Sequence, residues 1–443
     1  MTGIRLVGDA VLPCDGSGAV YRPGAVDIGA DGRIVRVGPV AGAPDSSWDG
    51  AEWTVQWVGG LLLPGLVNAH CHSPMTLLRG QGEGLPLSAW LHEVIWPREA
   101  RTAADDVYWG MMLACAELLR FGVTTTVEMY FHDDALAAAV DAAGGRCVVT
   151  PGVVVAPGWE RFGTWQERIE WITGLRERYA DHPRIEVGFG PHSAYALPED
   201  ALKAVGEAAR ETGAPVHLHL AETEHEGAEV SARHGGASVP RVLADLGLFS
   251  GGRVLAAHAV WLSDADIDLL ASEGVAVAHC PGSNAKLASG TARVVDLLRA
   301  GVPMGLGTDG PASNNNLDMW EEMRLAALVA RQREHDPTVL PAAEVLHLAT
   351  AGGAAALGRT DIGSLSRGRW ADIVRLDLDD PGFVPVLDDG DLVAHAVWSA
   401  SREAVRDVWV AGRQVVTDGV CTSVDVHEAR RRVQAAAARL ATA

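Results

Sequence analysis

Eight short apolar runs, separated by alanine-rich amphipathic segments, constrain this chain more than any other feature: residues 66–69, 123–127, 147–155, 185–190, 216–220, 254–257, 275–278 and 304–307. A strand buried on both faces reads as a continuous apolar run, and a parallel neighbour needs a crossover helix before it can form. Intervening segments such as AADDVYWGMMLACAELLRFG, PEDALKAVGEAARETG and LDMWEEMRLAALVARQRE have helical spacing, several with Asp or Pro near the start and Gly at the end. Eight such units predict a (β/α)8 TIM barrel over residues 64–363.

The flanks read differently. Residues 1–63 hold short strands broken by Asp-Gly and Pro-Gly turns, in IRLVGDAVL, GAVDIGADGRIVRVG and WTVQWVG. The same style returns over residues 364–443 in GSLSRGRWADIVRLDL, AHAVWSA and VRDVWVAGRQVVTDG, before a helix in HEARRRVQAAAARLATA. The expectation is a small β-sandwich assembled from both ends of the chain. A formal net charge of −21, with no local Lys/Arg cluster, repels phosphate backbones and argues against nucleic acid. The six cysteines follow no disulfide framework or C-x-x-C pattern, and no run reaches the ~20 apolar residues of a membrane span. The expected protein is cytoplasmic, off the membrane, acts on a small molecule, and is compatible with a homo-oligomer.

Five metal-type or acid/base residues stand where apolar runs end: His70 and His72, His219, His258 and Asp309. The C-terminal ends of barrel strands are where this fold places its chemistry. In His70-Cys71-His72 a period of two puts both imidazoles on one face and turns Cys71 away. An isolated H-x-H is weak evidence for a metal; its place at a strand end strengthens it. His217-Leu218-His219 repeats the geometry, and Glu222, just beyond, stands where it could take a proton from a metal-bound water. That favours His219 as ligand and leaves His217 one pleat deeper, supporting it from the barrel interior. His258 and Asp309 end two further strands, and a carboxylate there can both bind a metal and accept a hydrogen bond from water. His192 and His279 also fall at strand ends, as substrate or ligand-supporting contacts. A two-metal barrel would need a bridging group such as a modified lysine, and neither Lys203 nor Lys286 is placed for it, so one metal is expected. Nitrogen and oxygen ligands suit Zn2+, with Fe2+ and Mn2+ compatible. Other signatures fail: Trp96 interrupts H-E-x-x-H after His92-Glu93, and no G-x-S-x-G elbow is present.

These residues resemble the amidohydrolase superfamily, in its nucleoside-deaminase and chlorohydrolase branch. PGLVNAHCHSPMTLLRG, GFGPHSAYAL, HLHLAET, AHCPGSNAKLASG and GTDGPASNNNLDMWEEMR are most similar to methylthioadenosine/S-adenosylhomocysteine deaminases. The resemblance implies one Zn2+ on His70, His72, His219 and Asp309, with Glu222 and His258 handling protons and Asp309 sharing in catalysis. It also implies Trp90 packing on a purine, Glu99 on ribose hydroxyls, and His192 at the base edge; Glu222 also contacts the base. Without it, Trp90 and Glu99 read as a packed helix residue and a solvated charge. In relatives that accept homocysteine tails, an arginine after the third strand and another in the next loop grip the carboxylate. Here Pro151 takes the first position, and Arg161 or Arg168 is the candidate for the second. Trp159, Phe162 and Trp165 in that loop could line a pocket for an apolar 5′ group, or simply pack. The resulting expectation is a hydrolytic deaminase of 5′-modified adenosines: methylthioadenosine, 5′-deoxyadenosine or 6-amino-6-deoxyfutalosine. Alternatives are S-adenosylhomocysteine deamination, s-triazine chloro- or aminohydrolysis, cyclic-amide hydrolysis, and a non-catalytic scaffold with a metal site.

Overall fold

A computed structural model describes residues 3–40, 47–48, 51–156 and 158–441. Its centre is a ring of eight parallel strands: Leu66–Cys71, Val123–Glu128, Arg146–Val149, Ile185–Val187, Val216–Leu220, Val254–His258, Ala276–His279 and Met304–Leu306. Hydrogen bonding groups them into two four-stranded sheets. One seam between the sheets is bridged by Phe189 pairing with Val216. At the other, the Asp309 amide donates to the His70 carbonyl at 3.0 Å, and Asn68 Oδ1 accepts from the Thr308 amide at 3.0 Å. Gly307 permits that approach, because a Cβ there would lie 2.8 Å from His70 Cβ. This (β/α)8 barrel has its expected helices in place, including Ala104–Arg120, Glu199–Thr212 and Met319–Glu334.

The third apolar run is shorter than its sequence suggests. Barrel pairing ends at Val149, and Gly152–Val153 forms a separate short strand with Gly190–Pro191. Among the described residues, no helix is long and apolar enough to cross a membrane.

Two sheets form the β-sandwich. The five-stranded one is entirely N-terminal; the six-stranded one joins Ala10–Val11 and Leu61–Pro64 to four strands from the C-terminal segment. Ile373–Leu376 pairs antiparallel with Leu61–Pro64, so the last residues before the barrel and those returning from it share one ladder. The inner faces bury Leu6, Val26, Ile28, Leu62, Ile373 and Trp409 together. AHAVWSA, read above as strand and turn, instead lies mostly in the helix Asp389–Trp398. Its start is fixed by Asp388, whose side chain accepts from the Asp391 amide while the Asp391 side chain reaches back. Sandwich and barrel are bolted together by a buried ion pair, Arg146 Nε to Asp372 Oδ2 at 2.9 Å.

Candidate metal and catalytic site

The strand ends converge as the sequence pattern requires. His72 Nε2 lies 3.2 Å from His219 Nε2. Asp309 Oδ1 is 3.2 Å from His70 Nε2 and 3.3 Å from His72 Nε2. His70, His72 and His219 offer ligand atoms within 4.8 Å of one another, as do His70, His258 and Asp309. Burial holds His70 down to about 3 and also lowers His72 and His219, so all three imidazoles are neutral. Although burial alone would raise Asp309, the surrounding histidines hold its carboxyl well below the usual range. Three neutral nitrogens and an ionised oxygen aimed at one point are the donors a divalent ion of borderline softness takes. His70 Nε2 is fully buried and makes no well-aligned hydrogen bond among the described residues beyond its 3.2 Å approach to Asp309 Oδ1, as two atoms converging on a shared metal would.

Each candidate ligand is oriented from behind. His72 Nδ1 donates to the Met129 carbonyl at 2.6 Å and His219 Nδ1 to the His192 carbonyl at 2.9 Å. His70 Nδ1 lies 2.8 Å from His217 Nε2, and His217 Nδ1 is 3.0 Å from Thr150 Oγ1, whose hydroxyl donates to the Glu128 carbonyl at 3.0 Å. The chain has one direction: with His70 Nε2 bare for a metal, its Nδ1–H donates to His217, and His217 donates onward to Thr150. Asp309 Oδ2 accepts from Ser283 and Ser313 hydroxyls at 2.6 and 2.9 Å. Cys71 turns away, its thiol 3.0 Å from Ser73 Oγ.

Glu222 and His258 face the same centre, with His258 Nε2 3.8 Å from Glu222 Oε2. Burial raises the Glu222 carboxyl above its ordinary range, with His258 opposing it. Burial pulls His258 down, but Glu222 and Asp309 outweigh it and leave its pKa raised. Asn284 Oδ1 accepts from His258 Nδ1 at 2.9 Å, presenting Nε2 to Glu222. Backbone strain gathers here: Ala221, His258 and Asp309 sit at φ of 47°, 72° and 58°, conformations non-glycine residues hold only where the surroundings enforce them.

The cavity over this centre is lined by His72, His192, His219, Glu222, His258 and Asp309 on its polar side, and by Trp90, Trp96 and Tyr195 among its aromatics. Glu99 and Tyr130 also line it. Burial pushes Glu99 up to about 8, partly opposed by the Tyr130 phenol. His279 does not line the cavity; its ring is buried without a hydrogen-bond partner among the described residues. Arg161 is likewise absent from the lining. Its guanidinium donates to the Ala100 carbonyl at 2.7 Å and to the Thr102 carbonyl. Arg168 is held by Asp133 at 3.1 Å and by the Gly152 carbonyl at 3.3 Å. Ser283 and Asn284, in the short helix Pro281–Lys286, Ser313, and Ser289, whose hydroxyl lies 3.5 Å from Glu222 Oε1, were not anticipated, since an isolated hydroxyl or amide carries no spacing signal. Glu226, whose Oε2 accepts from the Glu222 amide at 2.8 Å, had one: it lies four residues on, in the first turn of the helix Glu224–Arg233.

The pattern of the Amidohydrolase family matches residues 61–415. Over 441 residues, 99% of both chains, the sequence is 41% identical to 5-methylthioadenosine/S-adenosylhomocysteine deaminase of Pelotomaculum thermopropionicum. It is 40% identical to 5'-deoxyadenosine deaminase of Methanosarcina mazei over the same length and coverage. A zinc-bound adenosine deaminase from Xanthomonas campestris superimposes with a TM-score of 0.92 at 36% identity, covering 99% of both chains. A shared pattern across the barrel, relatives matched almost end to end and a common fold agree that this chain belongs to the amidohydrolase family.

Proposed function

We propose that the chain is a zinc-dependent deaminase that converts 5′-modified adenosines lacking an amino-acid tail to inosine analogues and ammonia. The observation that carries it is Glu222 paired with His258 at the rim of the four-ligand cluster, beneath a cavity with aromatic walls. Both relatives are named for deaminating 5′-modified adenosines, one of them for S-adenosylhomocysteine, which carries the tail, as well as methylthioadenosine. His70, His72, His219 and Asp309 would hold the ion, which when bound supplies the Lewis acidity that brings the pKa of water from about 15.7 toward about 7.

The chain's own residues do the rest. Glu222 takes a proton from the attacking water and delivers it to N1 of the adenine ring, so that C6 accepts the oxygen. His258 and Asp309 hold that oxygen and return a proton to the departing amine. Water is consumed, the C6–N bond breaks, and ammonia leaves. Trp90 would pack on the base, His192 reach its edge and Glu99 accept from ribose hydroxyls.

The absence of a tail follows from the arginines. Both candidates for gripping a carboxylate, Arg161 and Arg168, are engaged by the protein itself, and no lysine or arginine lines the cavity. Phe162 and Trp159 pack with Phe131 rather than against the catalytic cavity, with ring centroids 5.1 and 4.9 Å away. Trp159 and Trp165 also line a neighbouring pocket that shares Val154 with the catalytic one. Zinc-loaded protein should be tested with adenosine, 5′-deoxyadenosine, methylthioadenosine, aminodeoxyfutalosine, S-adenosylhomocysteine and guanine, following ammonia and the adenine-to-hypoxanthine absorbance change. The highest kcat/KM is expected for an uncharged 5′ group. A maximum for S-adenosylhomocysteine refutes the tail argument, and silence across the panel refutes the reaction.

A further inference from the structure

The loop after the third barrel strand closes on the wall of the cavity at three points. Arg161, in the turn Glu160–Phe162, donates to the carbonyls of Ala100 and Thr102, the residues that follow Glu99. The same guanidinium lies 2.9 Å from His132 Nε2, at the end of the second strand's loop, and its carbon sits 4.7 Å from the centre of the Phe162 ring. Phe131 packs between this turn and Tyr130, its ring stacked on Tyr130 at 4.1 Å and tilted against Phe162. Glu99 and Tyr130 face the cavity, whereas Arg161 itself is exposed on the far side of that wall.

A guanidinium suits this position. Ala100 and Thr102 follow the C-terminal end of the short helix Trp96–Glu99, where carbonyls lack helical partners and a cation is favoured. A planar fork can bridge two such carbonyls, whereas an ammonium acts as a point charge. With the fork in place, the backbone carrying Glu99 is tied to two loops; without it, the Thr102 carbonyl retains His132 Nε2 at 3.1 Å and the Ala100 carbonyl has no other side-chain donor among the described residues.

We infer that Arg161 is a positioning residue: it latches the loop after strand three onto the Ala100–Thr102 turn and so fixes Glu99 and Tyr130 for the nucleoside, rather than contacting the substrate. The inference rests on the deaminase reading above and assigns Arg161 a different role from a carboxylate clamp. The two roles separate by substrate. A latch serves every nucleoside alike, because the wall it holds meets the part they share; a clamp serves only substrates with an anionic tail.

The test compares wild type with R161A and R161K, using 5′-deoxyadenosine and S-adenosylhomocysteine at matched zinc occupancy. For R161A the latch predicts a KM higher by roughly 10-fold for both substrates, with their kcat/KM ratio unchanged and kcat within about twofold, on the scale of one lost charge-assisted hydrogen bond. R161K should fall between, since it can keep one carbonyl but not two. Added guanidinium or ethylguanidinium at millimolar concentration should restore part of the R161A loss, because the vacated position opens to solvent; a general folding defect would not respond. A loss confined to S-adenosylhomocysteine, or unchanged KM for both substrates, overturns the latch. If wild type turns over neither nucleoside, the deaminase reading itself fails, a result distinct from either.

Discussion

Replacing Thr150 with valine probes how the barrel interior sets the protonation of His70, two hydrogen bonds away along a chain through His217. Thr150 is fully buried, and its hydroxyl is the acceptor for His217 Nδ1 at 3.0 Å. Valine has the same shape without that acceptor, which leaves two outcomes. His217 can keep its proton on Nδ1 with no partner, at a cost of about 1–3 kcal/mol for an unsatisfied buried donor. Alternatively its proton moves to Nε2; His70 Nδ1 must then accept, and the proton of His70 goes to Nε2, the atom aimed at the metal position. That second tautomer cannot bind a metal.

The metal-free protein can take the second route cheaply; the metal-loaded protein cannot. The substitution should therefore destabilise the loaded form more than the free form, and by linkage the difference equals the loss in affinity. The expected loss is 10- to 100-fold, the usual effect of removing a residue that orients a ligand, and it falls within the range for an unsatisfied donor. Competition with a chromophoric chelator gives the zinc affinity, and urea unfolding with and without zinc gives the two stabilities. T150S keeps the hydroxyl and should restore the affinity. Unchanged zinc affinity in T150V, even with lower stability of both forms, refutes the directional chain.

Three further outcomes follow from the same geometry. E222Q should retain its zinc, measured by metal analysis, while kcat falls by roughly 100- to 10,000-fold, as for a removed general acid/base; near-full turnover refutes its proton role. Burial raises Glu99 from 4.5 to about 8, so the unfolded chain ionises first and stability declines as pH rises from 4.5 toward 8. The fully developed penalty is roughly 5 kcal/mol as an upper bound, and E99Q should therefore be more thermostable than wild type at pH 9 but not at pH 4; equal gains at both would disprove the assignment. R146M breaks the buried pair with Asp372, which also accepts from the Ala411 amide at 2.7 Å; about 3–5 kcal/mol of unfolding free energy should be lost, and a loss under 1 kcal/mol would show that sandwich and barrel do not depend on it.

The barrel and the convergence of its candidate ligands were legible in the sequence for one physical reason: parallel strands must be apolar throughout, so a histidine or aspartate at the end of such a run stands out. His70, His72, His219 and Asp309 each interrupt or close an apolar run, and their convergence follows from strand order alone. The same logic fails for Ser283 and Asn284, in the short helix Pro281–Lys286, and for Ser289 and Ser313, in loops, which act through hydrogen bonds to residues as far as 67 positions away. It failed differently for AHAVWSA, too short an apolar run for periodicity to separate helix from strand; the Asp388–Asp391 capping box ahead of it was the usable signal.

Arg161 shows the limit most clearly. A resemblance can align an arginine with a loop that grips substrate, but the side chain can swing to either side of that loop, and which side it takes depends on what the opposite wall offers. Here the wall offers the carbonyls of Ala100 and Thr102 after Glu99, which a planar five-donor group can bridge. On the latch proposal, substrate choice turns less on the metal site than on whether a loop cation turns outward to brace the wall or inward to meet the ligand.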